Sequence, residues 1–423
     1  MEKMFNLVFD NWDGDRPLPN GKKQYPDRFF WDIEEYMYSY INGVSGGLKS
    51  IPTNACKVDD IDLSQKYYYF ICHGGINMEE MFNTIIPISD EIKNEIKRNP
   101  NFFIVFQTHH ESDSEQGFKS LIDYIKKEEL NEKQFFVINN NAKLNEYKVK
   151  YQTNVNVYTL SYLQFSVASG LNFIGGCDFI PEKNGKFFMT FNKTPKIHRC
   201  ALLVKMLKHG LLENTNWSFI PNIKSIQSYD AYERIFEISE IDDLKNEIDY
   251  FNELKIKISD YEPDYLIFDE NNNYTMKFPQ YNVGMNPELP FNYENTYVNI
   301  TTESEFLNRN NTIQITEKSL KPFYYYQIPI FFATTGHLKE MEKRYNLDFF
   351  SDIINNEYDN EIDDKKRFKM VFDEILRLNE NKDVIIDFYK NNKDRFERNK
   401  KIISSISGKE TDYFYYKKLI ENE

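Results

Sequence analysis

Short apolar runs alternate along this chain with longer stretches in which apolar residues recur every three or four positions. Met4–Phe9, Tyr67–Ile71, Phe102–Phe106 and Gln134–Ile138 read as strands, with Val155–Leu160 as a fifth candidate. Phe29–Ile41 and Phe118–Lys126 read as helices between them. Residues 165–186 gather Gly170, Gly175, Gly176, Pro181 and Gly185, which marks a crossing between domains. The pattern then resumes. Lys186–Phe191 is a strand, and Ile197–His209 is a helix with Ile197, Cys200, Leu203, Val204 and Leu207 on one face and Gly210 closing it. Trp217–Phe219 and Tyr265–Phe268 are strand-like, and 233–259 is helical and acidic. Tyr297–Ile300 is a strand, Thr316 caps a helix, and Ile330–Phe332 is a buried strand. Another helix runs to Tyr345, and 364–400 reads as two charged amphipathic helices. Strands alternating with helices predict an α/β fold on parallel, doubly wound sheets. The expected domains are 1–180, 181–360 and a helical tail, 361–423, packing back on them.

One conflict is local. Pro322 lies too far from Thr316 for a first turn, so that helix should be irregular.

Composition narrows the setting. The chain has 423 residues, enough for two cores, and a net charge of −14. That charge weighs against DNA or anionic lipid as a general partner, a locally basic groove excepted. The acid gathers in 237–247 and 352–364, read as solvated helix faces. The abundance of Asn, Lys, Ile and Tyr suggests an AT-rich genome, such as that of a virus or phage. Cys56, Cys72, Cys177 and Cys200 are scattered without metal-ligand spacing, which fits a reduced cytoplasm, the host's if the source is viral. Met1–Asp10 does not read as a signal peptide, and no run is long and apolar enough for a membrane span.

Candidate chemistry sits at strand ends. Asp13-Gly14-Asp15 is either a divalent-metal site on a nucleotide diphosphate or a glycine turn flanked by acids. Gly74-Gly75 after a strand permits close approach of a ligand or another backbone. His109-His110-Glu111 makes a poor metal pair, since adjacent side chains diverge. One of the histidines or Glu111 suits a general base for a hydroxyl acceptor, with plain structural hydrogen bonding as the other reading. In the second half, 297–332 reads as β-α-β. It places Glu303 at a strand's carboxyl end and Glu317 and Lys318 at a helix amino end. Those are the places where an open α/β sheet holds an anionic, hydroxylated ligand. Asn192 and Lys193 on a loop, with Arg199 on the next helix, offer a second basic βα turn suited to a diphosphate. Residues 284–296 are long enough to reach a cleft between the domains. Gly336 just before a helix suits either a ligand or a left-handed turn.

Glu303 followed by Ile315-Thr316-Glu317-Lys318 resembles the signature of the α-1,3-fucosyltransferases and related viral and bacterial glycosyltransferases. The resemblance covers roughly 185–380. The family usually shows Phe-Glu-Asn-Ser at the strand end, where this chain has Thr302-Glu303-Ser304-Glu305. Its animal members carry a membrane anchor, and no run in this sequence reads as one. The resemblance implies a GT-B arrangement: two Rossmann-like domains facing a cleft, with C-terminal helices. It implies transfer of a sugar from a nucleotide-sugar donor, a GDP-sugar among the options, to a hydroxyl of a glycan, protein or modified base. It also implies inversion at the anomeric carbon. No cofactor or metal is expected, because cations would neutralise the leaving diphosphate. By the same match Glu317 would accept from the ribose hydroxyls and Glu303 would lie beside the sugar or ribose. Asn192, Lys193, Arg199 and Lys318 would hold the diphosphate. The family's base is a carboxylate of the first domain, for which Glu111 is the candidate by position. The alternatives are a non-catalytic nucleotide- or glycan-binding protein, and a metal-dependent transferase using Asp13 and Asp15.

Overall fold

The computed structural model describes residues 5–9, 53–57, 61–73, 88–108, 114–139, 141–159, 177–192, 196–219, 229–253, 258–259, 266–268, 274–276 and 293–405. Asp13, Asp15, the 29–41 helix, Gly74-Gly75, His109-His110-Glu111, the glycines at 170–176, Lys193 and residues 284–292 lie outside them. The chain divides into two units. One comprises 1–165, 310–314 and 407–423; the other comprises 166–309 and 315–406.

The first unit carries six parallel strands: β1 (Phe5–Phe9), β2 (Thr53–Lys57), β3 (Tyr67–His73), β4 (Phe102–Thr108), β5 (Phe135–Asn139) and β6 (Asn156–Thr159). Their order is β2-β1-β3-β4-β5-β6, so the chain reverses direction across the sheet between β1 and β3. The apolar pattern missed β2, because Thr53-Asn54-Ala55-Cys56-Lys57 has only two small apolar residues among polar ones and pairs as an edge strand. Helices α1 (Asp90–Arg98), α2 (Glu115–Lys127) and α3 (Leu144–Lys150) connect the later strands. Ser89 and Ser114 cap the first two, accepting from Ile92 N and Gly117 N. Ile92, Ile96, Phe118, Leu121 and Ile125 meet Phe102, Ile104, Phe106, Phe135 and Val137 in one core. The opposite sheet face is apolar as well. Tyr68, Phe103, Phe136 and Tyr158 form an aromatic row, as a parallel sheet buried on both faces requires.

The second unit uses β7 (Phe188–Asn192), β8 (Thr215–Phe219) and the short β9 (Ile258–Ser259), followed by a separate antiparallel hairpin, β10 (Leu266–Phe268) with β11 (Tyr274–Met276). β12 (Val298–Thr302) and β13 (Ile328–Phe332) complete its sheet in the order β13-β12-β7-β8-β9. All pairs are parallel except β8 with β9. Here the reversal lies between β7 and β12. Gly185 brings the entry to β7 against Asn295, whose carbonyl accepts Gly185 N at 3.0 Å; an added Cβ would stand 2.4 Å from that oxygen.

Helices α4 (Ile197–Lys208), α5 (Ile238–Asp243), α6 (Lys245–Glu253), α7 (Glu317–Tyr324) and α8 (His337–Tyr345) flank or follow these strands. Pro322 stands inside α7, which ends two residues later with Pro322 O accepting Gln327 N at 2.8 Å. The irregularity anticipated there is a truncated helix. Pro329 lies within β13, which is an edge strand and so can spare an N–H. The described part of the tail forms three helices where 364–400 reads as two: α9 (Asp364–Glu380), α10 (Lys382–Asn391) and α11 (Lys393–Ser405). Asn381 and Asn392 break the run, each with its side chain bonded back to a carbonyl four residues earlier. Their apolar faces, including Phe368, Phe372, Ile375, Tyr389, Phe396 and Ile403, belong to the second unit's core. Arg367 is buried there, donating to Ala333 O, Glu361 O and Asp364 over the Phe306 ring.

Candidate functional site

The reversal between β7 and β12 is where an open sheet leaves a crevice at its strands' carboxyl ends. Asn192 ends β7 and Thr302 ends β12. Thr302 donates its hydroxyl to Asn192 Oδ1 at 2.6 Å, and Asn192 Nδ2 donates to Thr190 at 3.2 Å. Asn192 N reaches Ser218 Oγ on β8 at 3.2 Å. One buried asparagine therefore ties three strands together at the edge of the crevice.

The first turn of α4 supplies cations to the same place. Arg199 is 4% exposed and donates Nη2 to Glu303 O at 3.1 Å and Thr302 O at 3.4 Å. His198 Nε2 lies 3.0 Å from Glu303 O, so that nitrogen carries the proton. Burial, reinforced by the neighbouring Arg199 charge, holds His198 well below the usual histidine range and keeps it neutral. Lys196 donates to Ser304 O at 2.6 Å and pairs with Glu305 at 3.3 Å. α4 itself begins without a side-chain cap and without an acid in its first turn. Its amino end thus combines an uncapped helix terminus with Lys196 and Arg199, an arrangement that favours an anion.

Glu303 has a different environment from the one its position suggests. It is wholly buried, and its two oxygens accept from Ser304 N (3.1 Å), Thr316 N (3.0 Å), the Thr316 hydroxyl (2.8 Å) and the Ser319 hydroxyl. A carboxylate has about four lone-pair sites, and all are used here. Glu303 is the protein's own anion at the amino end of α7, and it fixes that end in place. Thr316 is the hub: bonded to Glu303, its oxygen also accepts from Lys318 N at 3.3 Å and Lys318 Nζ at 3.4 Å. Lys318 is half-buried at this edge. Glu317 opens α7, with only its backbone described.

Asn192, Arg199, Glu303 and Lys318 are therefore brought into one hydrogen-bonded neighbourhood, whereas Lys193 and Glu111 lie outside the described residues. Sequence reasoning missed Lys196, His198, Ser319 and His337. His198 had a local signal, its place beside Arg199 on the turn after a strand. Ser319 had none, because a serine on a helix face has no pattern of its own.

Gly336 adopts the left-handed conformation, φ 79°, at the start of α8. No ligand is needed to explain it, because Asp359 accepts from Leu338 N (3.0 Å) and Lys339 N (3.2 Å) and fills that helix terminus. Burial raises the Asp359 pKa while those N–H groups oppose the rise. Among the described residues no three His, Cys, Asp or Glu side chains are grouped to hold a metal, and no helix is long and apolar enough to cross a membrane.

No protein-family model and no curated protein matches the chain. Among solved structures, it is similar to an alpha,alpha-trehalose-phosphate synthase (UDP-forming) from Burkholderia vietnamiensis, at 10% identity and a TM-score of 0.42, covering 86% of this chain and 76% of that one. It is similar also to alpha,alpha-trehalose 6-phosphate synthase from Burkholderia multivorans, at 10% identity and 0.38, covering 84% and 72%. Likeness of this degree assigns no activity.

Proposed function

We propose that this protein is a glycosyltransferase of the GT-B type, whose second unit binds a nucleoside-diphosphate sugar at the β7–β12 reversal. The observation that carries the reading is the convergence there of the uncapped α4 terminus, Lys196 and Arg199 with the Thr316–Lys318 turn. A diphosphate leaving group gains negative charge as the glycosidic bond breaks, and preorganised cations and N–H groups stabilise it in place of a metal. The half-buried Lys196 and Lys318 would meet the phosphates, and Arg199 would hold the β12 carbonyls that shape the crevice. Glu317 at the start of α7 would accept from the ribose hydroxyls. Glu303, with its oxygens already used, would serve by fixing α7 and not by touching the sugar. A carboxylate of the first unit, Glu111 by position, would deprotonate the acceptor hydroxyl, with inversion at the anomeric carbon.

The test is release of nucleoside diphosphate from a panel of UDP-, GDP-, dTDP- and ADP-sugars, with and without EDTA. Release from one donor that survives EDTA and falls in Lys318→Ala supports the reading. Release abolished by EDTA and by Asp13→Ala would replace it with a metal-dependent transferase. Binding without release under any acceptor would leave a non-catalytic nucleotide-binding protein.

A further inference from the structure

Three buried side chains stand in line behind the proposed site. His337 Nε2 lies 2.8 Å from Ser319 Oγ, and Ser319 donates to Glu303 Oε1. All three are 0% exposed. His337 belongs to the first turn of α8, Ser319 to the first turn of α7, and Glu303 to the turn after β12. The line therefore joins two successive βα connections, β12–α7 and β13–α8.

The chemistry of the line sets its direction. Ser319 has one hydroxyl hydrogen and gives it to the carboxylate, the stronger acceptor. Its oxygen must then accept, so His337 carries its proton on Nε2. Glu303 Oε1 also accepts Thr316 N at 3.0 Å, and Thr316 holds Lys318. Movement of the carboxylate would therefore shift the turn that presents Lys318. The Phe331 ring, 5.4 Å from the imidazole centroid, closes one side of His337.

Resting on the nucleotide-binding reading above, we propose that Ser319 and His337 are positioning residues. Through Glu303 they hold the Thr316–Lys318 turn in the geometry that binds the donor diphosphate. Neither residue touches the ligand. Their contribution is the orientation of a carboxylate that would otherwise rotate between its remaining donors.

The test joins a ligand-free readout to a binding one. In wild-type protein labelled with 15N-histidine, the His337 resonances, assigned by their loss in His337→Gln, should show the Nε2–H tautomer, and Ser319→Ala should shift them. Titration with the nucleoside diphosphate that binds wild type should show Ser319→Ala and His337→Leu weakened about ten-fold, the size expected when one hydrogen bond to a charged group is lost. His337→Gln, whose amide N–H replaces Nε2–H, should bind within about two-fold of wild type, a rescue that a merely space-filling role would not give. An Nδ1–H tautomer, or wild-type affinity in both Ser319→Ala and His337→Leu while folded, would overturn the proposal. If wild type binds no nucleoside diphosphate, the nucleotide reading falls. The relay is then judged by the imidazole spectrum and by amide exchange at 317–320, which should quicken in Ser319→Ala and would refute the relay by staying unchanged.

Discussion

Thr302 and Asn192 end neighbouring strands and share a 2.6 Å hydrogen bond across the point where the second sheet reverses. Both are buried, at 3% and 1% exposure, so neither can turn to water if the other is lost. Asn192→Ala should cost about 1–3 kcal/mol, the penalty for stranding a buried hydroxyl. Thr302→Val removes the donor with little change of shape and should cost less. The double variant should be more stable than the sum of the two predicts, by about 1 kcal/mol, as expected for contacting residues. Urea unfolding of the four proteins measures the coupling, and strict additivity would refute it.

Lys183 has the most confined amine among the described lysines whose pKa is shifted. It donates to Glu294 O at 2.7 Å and Tyr325 O at 3.4 Å, above the Tyr389 ring. Burial pushes its pKa down to about 7, against partial support from the neighbouring Cys177 and Glu294 charges. The unfolded chain keeps that proton to about pH 10.4, so it binds more protons than the native state above pH 7. Stability should therefore rise with pH from 7 towards 10, by at most about 1.4 kcal/mol per unit from this group. Lys183→Met should flatten the rise, as read from urea midpoints at pH 7 and 9. An unchanged slope would contradict the assignment.

Glu115 gives the same sign, in the acid range, in the first unit. Its carboxylate accepts from Lys150, from the Tyr151 hydroxyl at 2.6 Å and from Asn311 at 2.9 Å. These contacts, Lys150 foremost, lower its pKa to about 2. The stability it adds is present above the ordinary carboxylate pKa and is lost as the pH falls towards 2. Because the pair meets solvent, the effect should stay below about 1 kcal/mol. Glu115→Gln should make the acid limb of a circular-dichroism titration shallower between pH 4.5 and 2.5.

Parts of the two sheets were legible in the sequence because strands buried on both faces read as apolar runs. β4, β5, β12 and β13 were visible for that reason. β2 was hidden by its polar residues Thr53, Asn54 and Lys57, and the break in the tail by asparagines that a helical apolar period passes over. In the site, Arg199 and Lys318 stood out as cations on turns after strands. The carboxylate at Glu303 stood out too, but position alone does not tell a ligand contact from an internal helix anchor. Four converging donors decide that, and two of them, Ser319 and Thr316, become neighbours of Glu303 only when α7 folds back along β12. The His337 contact is less legible still, because it depends on the left-handed turn at Gly336 that starts α8.

In the proposed reading the β7–β12 crevice binds a nucleoside diphosphate through Lys196 and Lys318. Calorimetric titration of UDP and GDP into wild type, Lys196→Ala, Lys318→Ala and the exposed Lys343→Ala, all in EDTA, tests it most directly. One nucleotide should bind without metal, weakened about ten-fold or more in each of the first two variants and unchanged in the third, since a cation–phosphate contact is worth about 1.5–3 kcal/mol. Equal affinity in all four proteins, or no binding by wild type, would contradict it.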